Sequence, residues 1–256
     1  MFNLLILSGD PLIIRKLLNF TKAIAKCTNL SDLQLDLGQN KLREKGAQAL
    51  GQAISKCTAL QNLQIDIYDN QIGNLGVKEL FSPLENCNQL LNLNANLREN
   101  SIKILGLAKL LQSLSKCSNL LTVNCIELGN NIKYKDIQLN ETEIYSGFNQ
   151  CHNLQSLSLQ LGYADHSAMF LLDYALISFQ YLTCLNLNLK SNRISENGAL
   201  SLVKSISKCL KLTYLMLDFS NYSFVQSNTI NKLFQQRVLA HISKFRRLVK
   251  RFIYFQ

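Results

Sequence analysis

Two spacings of apolar residues alternate along this chain. Leu33, Leu35 and Leu37, and later Leu185, Leu187 and Leu189, stand at every second position with polar residues between them. That is the pattern of a strand with one buried face. A few residues on, the spacing becomes helical: Gly46, Ala49, Leu50, Ala53 and Ile54 share one side. So do Gly76, Leu80 and Leu84, then Gly106, Leu110 and Leu114, and later Gly198, Leu202 and Ile206. An asparagine marks the handover from strand to helix, at Asn40, Asn70, Asn100 and Asn192, with Asn130 or Asn131 in one irregular unit. An aliphatic residue follows at Leu42, Ile72, Ile102, Ile132 and Ile194.

Each unit opens in the same way. Cys27, Cys57, Cys87, Cys117, Cys151 and Cys209 hold one slot and Phe179 stands in it once, at steps of 30, 30, 30, 34, 28 and 30 residues. Three positions later comes a leucine: Leu30, Leu60, Leu90, Leu120, Leu154, Leu182 and Leu212. A period of this size marks a solenoid, because a single strand and helix cannot bury their apolar faces alone and must stack on copies of themselves. The predicted fold class is α/β: a curved parallel sheet on the concave side and helices on the convex side, in about seven repeats after a partial one.

The residues resemble the leucine-rich repeat family, in its long-helix, ribonuclease-inhibitor-like subtype. Leu30, Leu33 and Leu35 match its L-x-x-L-x-L frame, while Asp36-Leu37 are extra before Asn40. Two residues are one full strand period, so the insertion lengthens the strand without turning side chains to the wrong face. The form K-C-x-x-L is also similar to repeats of ciliated protists. The resemblance implies that Asn40, Asn70, Asn100 and Asn192 bond the backbone where the chain leaves the sheet and stack into a structural ladder. It implies less about function, since one fold serves many.

Composition then sets limits. With 256 residues, 47% of them apolar, two prolines and no linker, the chain reads as one domain. Residues 1–26 form a partial repeat, 27–219 the repeats and 220–256 a basic amphipathic capping-helix region. Met1–Leu18 is apolar, but Leu5, Leu7, Asp10 and Leu12 fit the slots of Leu35, Leu37, Asn40 and Leu42, so it reads as a kept repeat rather than a targeting peptide. Its strand, Phe2–Leu7, has no polar shield, and either another chain covers it or solvent tolerates it. In the 117–150 unit Glu127 stands where an aliphatic belongs, and Leu128 restores the frame through a one-residue bulge. Lys133–Glu143 reads as an irregular protrusion, a binding feature or simple drift.

Six of the eight cysteines share one slot and none forms C-x-x-C, so they read as buried, reduced core thiols in a reducing, cytoplasmic compartment. No run is long enough to cross a membrane. The formal charge is +10, and Phe219–Gln256 contains no acid and supplies seven bases. There Phe234, Val238, Ile242, Phe245, Val249 and Phe252 are predicted on one helical face that closes the core. Arg237, Lys244, Arg246, Arg247, Lys250 and Arg251 lie on the other, solvated or docked on an acidic partner. No nucleic-acid signature accompanies them, so specific nucleic-acid binding is not expected.

Catalytic chemistry finds no support. His152, His166 and His241 are far apart in the repeat frame, and no zincin, nucleophile-elbow or phosphate-loop motif occurs. Asp36 and Asp66 imitate a carboxylate pair on adjacent strands, but Asn96, Ile126 and Asn188 follow in the same slot. No cofactor, metal or small-molecule substrate is expected. Strand alternation puts Gln34, Asp36, Gln64, Asp66, Asn94, Asn96, Asn124, Ser158, Gln160, Asn186, Asn188, Met216 and Asp218 on the concave face. It reads as polar and amide-rich, without the Tyr, Trp and Arg of interface hot spots, which suits solvent or a broad contact within an assembly. The expected function is a non-catalytic protein–protein interaction scaffold, a structural subunit of a larger assembly whose partners have acidic surfaces. A ciliary, axonemal or cytoskeletal assembly comes first. The alternatives are a regulator (a Ran GTPase activator or ubiquitin-ligase adaptor) and an accessory subunit of an organellar complex.

Overall fold

The computed structural model describes residues 13–128, 153–162, 166–190, 192, 194–220 and 228–255. Where apolar residues alternate, the chain is extended. The strands are β1 (Asp32–Asp36), β2 (Asn62–Asp66), β3 (Asn92–Asn96), β4 (Thr122–Leu128), β5 (Ser156–Leu161), β6 (Cys184–Asn188), β7 (Tyr214–Asp218) and β8 (Lys250–Tyr254). They form one sheet in the order β1 to β8, and every neighbouring pair is parallel. The register is one repeat: Leu33 lies opposite Leu63, and Leu63 opposite Leu93. The described helices are α1 (Ile13–Ile24), α2 (Arg43–Ile54), α3 (Gly73–Phe81), α4 (Ile104–Ser115), α5 (His166–Ser178), α6 (Glu196–Ile206) and α7 (Asn228–Ile242). Pro83 lacks a backbone N–H, and the chain after α3 tightens into a 3-10 turn, Ser82–Asn86.

The core is a set of stacked rows. Leu60, Leu90, Leu120, Leu154, Leu182 and Leu212 are all buried, while Leu30 and Leu248, in the first and last of these rows described, are only partly so. Helices pack on their neighbours at close range. A Cβ on Gly51 of α2 would lie 2.5 Å from the Glu79 carbonyl of α3, which is why glycine stands there. Thiols tie one repeat to the one before: Cys57 donates to the Ile24 carbonyl at 3.5 Å and Cys209 to the Leu176 carbonyl at 3.5 Å. Cys57, Cys87, Cys117 and Cys209 are buried and free. Cys27 is free but only half-buried, contrary to expectation, and its thiol turns back to its own helix at the Ala23 carbonyl, 3.3 Å away.

The asparagines behave as a ladder. Asn70 Nδ2 donates to the Leu37 carbonyl of the preceding repeat at 2.7 Å and to its own Tyr68 carbonyl at 3.1 Å. Its Oδ1 accepts from the Asn40 and Leu42 amides at 3.1 Å each. Asn100 repeats this arrangement toward Asn70 and Ile72, and Asn192 Nδ2 reaches the Leu161 carbonyl at 2.7 Å. The turns around Asn40, Asn70 and Asn100 have left-handed backbone on both sides, at Gln39 and Lys41, Asp69 and Gln71, and Glu99 and Ser101. That geometry directs alternate N–H groups to the next repeat, as in Gln39 to the Tyr68 carbonyl at 2.7 Å.

The carboxyl end departs from the predicted capping helix. After α7 the chain turns at 243–249 and adds β8. Ser243-Lys244-Phe245-Arg246-Arg247-Leu248 repeats Ser207-Lys208-Cys209-Leu210-Lys211-Leu212 after 36 residues, so Phe245 opens an eighth repeat. The helical spacing of Phe245, Val249 and Phe252 is coincidental: Phe245 lies in the turn, and sheet pairing takes the backbone from Val249 on, with Val249 N–H on the Thr213 carbonyl at 2.8 Å. Phe234, Val238 and Ile242 are buried as expected, but Val249 and Phe252 are exposed. The core is closed there by Phe219, Phe234 and Phe255, whose ring centroids lie 5.9–6.2 Å apart. The bulge in β4 is present, and it brings Glu127, not Ile126, opposite Asn96. The amino-terminal strand expected at Phe2–Leu7, Cys151 and the 133–143 stretch lie outside the described residues.

Candidate interaction surface

Strand alternation turns three rows of side chains to the concave face, and the structure gives each a different role. The row at the strand ends is committed to turns. Asp36, Asp66, Asn96, Asn188 and Asp218 each accept, through Oδ1, the backbone N–H two residues on, at 3.3, 2.9, 3.2, 3.1 and 2.8 Å. These are Asx turns that carry the chain off the sheet, and Asp and Asn serve equally because either offers the acceptor. The apparent carboxylate pair Asp36 and Asp66 is part of this device.

The row at the strand starts was not among the expected surface residues. It begins Asp32, Asn62, Asn92, and these bond one another: Asn62 Nδ2 to Asp32 Oδ1 at 2.6 Å and Asn92 Nδ2 to Asn62 Oδ1 at 2.7 Å. Hydrogen bonds from Ser31 and Asn62 hold the Asp32 carboxyl below its ordinary range. A shallow hollow of about 310 Å³ lies over this ladder and the glutamines Gln34 and Gln64. Gln34, Gln64, Asn94, Asn124, Ser158 and Asn186 form the middle row, and Gln160 pairs in register with Asn188 in the end row.

Toward the carboxyl end the face changes chemistry. Met216 lies opposite Phe252, Asp218 opposite Tyr254 and Tyr214 opposite Lys250. The Tyr214 and Phe252 rings are 5.8 Å apart at a 46° tilt. Phe252 remains 43% exposed and Tyr254 45%. The expectation of a concave face without aromatic residues is therefore corrected, because reading β8 as helix hid Phe252 and Tyr254. The clue in the sequence is Phe252-Ile253-Tyr254-Phe255, a run of strand-favouring residues. Arg251 holds the inward slot of Leu215 but is exposed.

The six predicted docking bases do not share a helix face. Arg237 is on α7 and pairs with Glu196 at 2.8 Å. Lys244, Arg246 and Arg247 are on the turn before β8, and Lys250 and Arg251 on the strand itself. Elsewhere Asp173, the one buried acid among the described residues, lies between convex-side helices, bonded by Ser201 Oγ. Burial pushes its carboxyl above the usual range, against hydrogen bonds from Ser201 and Ser205. Among the described residues no three His, Cys, Asp or Glu converge as metal ligands, and no helix is long and apolar enough to cross a membrane.

A single parallel sheet with a one-repeat register, helices on its other side and a buried asparagine ladder defines a leucine-rich-repeat solenoid. No protein-family model matches the chain. No curated protein matches it either. Among solved structures, it is similar to the actin-binding site 2 region of leiomodin-1 (20% identity over 60% of this chain and 81% of that one, TM-score 0.40). It is also similar to a Caenorhabditis elegans tropomodulin carboxyl-terminal domain (10%, 77% and 92%, TM-score 0.41) and to an internalin from Listeria monocytogenes (14%, 90% and 69%, TM-score 0.34). These likenesses are distant, and the assignment rests on the sheet order, register and ladder of this chain.

Proposed function

We propose that this chain is a non-catalytic protein–protein interaction scaffold, a structural subunit that meets its partner at the carboxyl-terminal corner of the concave face. The observation that carries this reading is the exposure of Phe252 and Tyr254 beside Tyr214 and Met216 on a rigid sheet. Exposed aromatics held on a fixed backbone bury large area at small entropic cost, and such residues dominate interface energies. The polar amino-terminal half of the face differs, because its acids and several amides already bond one another or the backbone. Lys250 and Arg251 next to the corner favour a partner with an acidic surface. The ribonuclease-inhibitor-like frame and the protist-type K-C-x-x-L repeat favour a cytoplasmic assembly, ciliary, axonemal or cytoskeletal.

The test starts from the partner recovered by native purification. Its affinity is measured with the purified chain, with Phe252→Ser/Tyr254→Ser, and with Gln34→Ala/Gln64→Ala. Loss of one interface hot spot costs about 2 kcal/mol, roughly thirtyfold in affinity. The corner variant should lose at least that while its melting curve is kept, and the glutamine variant should bind normally. The reverse pattern refutes the assignment of the corner.

A further inference from the structure

The helix-to-strand turns form one flank of the solenoid. Cys57, Cys87 and Cys209 each tie their turn to the helix of the preceding repeat, as Cys87 does to the Ile54 carbonyl at 3.6 Å. The turn before β8 has Phe245 in that slot, a ring with no donor. Between this turn and the one before it lies a groove of about 410 Å³. Ile206, Leu212 and Phe245 give it apolar walls, and Lys244, Arg246 and Arg247 line it with positive charge. Arg247 Nη1 reaches across to the Leu210 carbonyl at 3.2 Å. Lys244 and Arg246 are exposed. No acid lines the groove, and the sequence has none after Asp218. Leu210, which also lines it, is 72% exposed, and Val249, two residues after Arg247, is 79% exposed; these are the most exposed large apolar residues described.

We infer that this groove binds an acidic peptide segment of a partner protein, one bulky apolar side chain entering between the turns and flanking carboxylates meeting Lys244, Arg246 and Arg247. The volume is within the range of specific ligand sites. Guanidinium and ammonium groups around an apolar pocket match a carboxylate-flanked hydrophobe, and charge-assisted hydrogen bonds are the strong ones. The cations converge on a concavity rather than spread over a flat face, which favours a peptide over a bilayer. The inference shares with the interaction reading only the supposition of a protein partner, because the groove is on the flank and its lining residues are separate from the concave corner.

The test uses the full chain and a labelled short glutamate-rich peptide with one central phenylalanine, followed by fluorescence anisotropy. Lys244→Glu/Arg246→Glu should weaken binding by at least about tenfold, since repulsion replaces two charge-assisted contacts. Replacing the peptide phenylalanine by serine should weaken it by a similar factor. Phe252→Ser/Tyr254→Ser should leave it unchanged. Equal binding of the serine peptide would reduce the site to general electrostatics and overturn the proposal. Loss of binding in the corner variant, with the fold intact, would overturn it by moving the site. Vesicles of phosphatidylserine and phosphatidylcholine supply the remaining comparison: binding to them through Lys244 and Arg246, with none to the peptide, would replace the peptide site by a membrane contact.

Discussion

Replacing Asn70 by leucine removes four hydrogen bonds, but they are not equivalent. The Leu37 carbonyl keeps a bond from Asn40 Nδ2 at 2.7 Å, and the Tyr68 carbonyl keeps one from the Gln39 amide at 2.7 Å. The Asn40 and Leu42 amides have no such reserve, because both donate to Asn70 Oδ1. Asn40, Leu42 and Asn70 are all buried, so water cannot take its place. An unsatisfied buried donor costs about 1–3 kcal/mol. Two of them, less the gain from burying a leucine of similar size, put the loss at about 2–5 kcal/mol. Urea unfolding followed by circular dichroism measures it. Asn92→Ala, at an exposed rung of the concave ladder, is the control and should cost less than about 0.5 kcal/mol. Amide hydrogen exchange adds a local readout: protection at Asn40 and Leu42 should fall before that of the neighbouring leucine core. A loss no greater than the control, with both amides still protected, would refute the reasoning.

Thiol reactivity should sort by slot. Mass-spectrometric mapping of alkylation at pH 8 should show Cys27 and Cys184, which are half-buried, reacting well before Cys57, Cys87 and Cys209, whose thiols burial pushes up to about 11. A folded-state value raised above the ordinary 9.0 means that the stability of keeping these thiols neutral is full below pH 9 and is lost as pH rises toward 11. Uniform labelling, or flat stability over that window, would contradict this. Arg43 has φ +54° at the slot where the next repeat has Gly73, φ +64°. Arg43→Gly relieves a left-handed side chain at some cost in unfolded-chain entropy, and should raise stability by about 0.5–1 kcal/mol in the same urea assay. A destabilised variant would show that the arginine contributes more than its backbone costs.

The repeat was legible because stacking imposes one burial pattern on every unit. Leu60, Leu90 and Leu120 are buried for the same reason, so a period of 30 carries the strand faces, the helix faces and the asparagine slot without any coordinates. What a residue bonds to, in contrast, depends on the neighbouring repeat, about 30 positions away in sequence and one strand spacing away in space. Nothing local in Asn74 announces that its Oδ1 caps the next helix, accepting from Lys103 and Gly106 at 2.7 and 3.1 Å. Nor does Asp36 reveal whether it faces a ligand or a turn until the Gly38 amide is seen beneath it. The carboxyl end shows the same division. Phe245, Val249 and Phe252 fit a helical period while Phe252-Ile253-Tyr254-Phe255 favours a strand, and a local pattern cannot weigh a hydrogen-bonded edge against a helical turn. Pairing with β7 decided it and moved Phe252 and Tyr254 onto the concave face, while Phe245 in the turn before β8 lines a cationic groove.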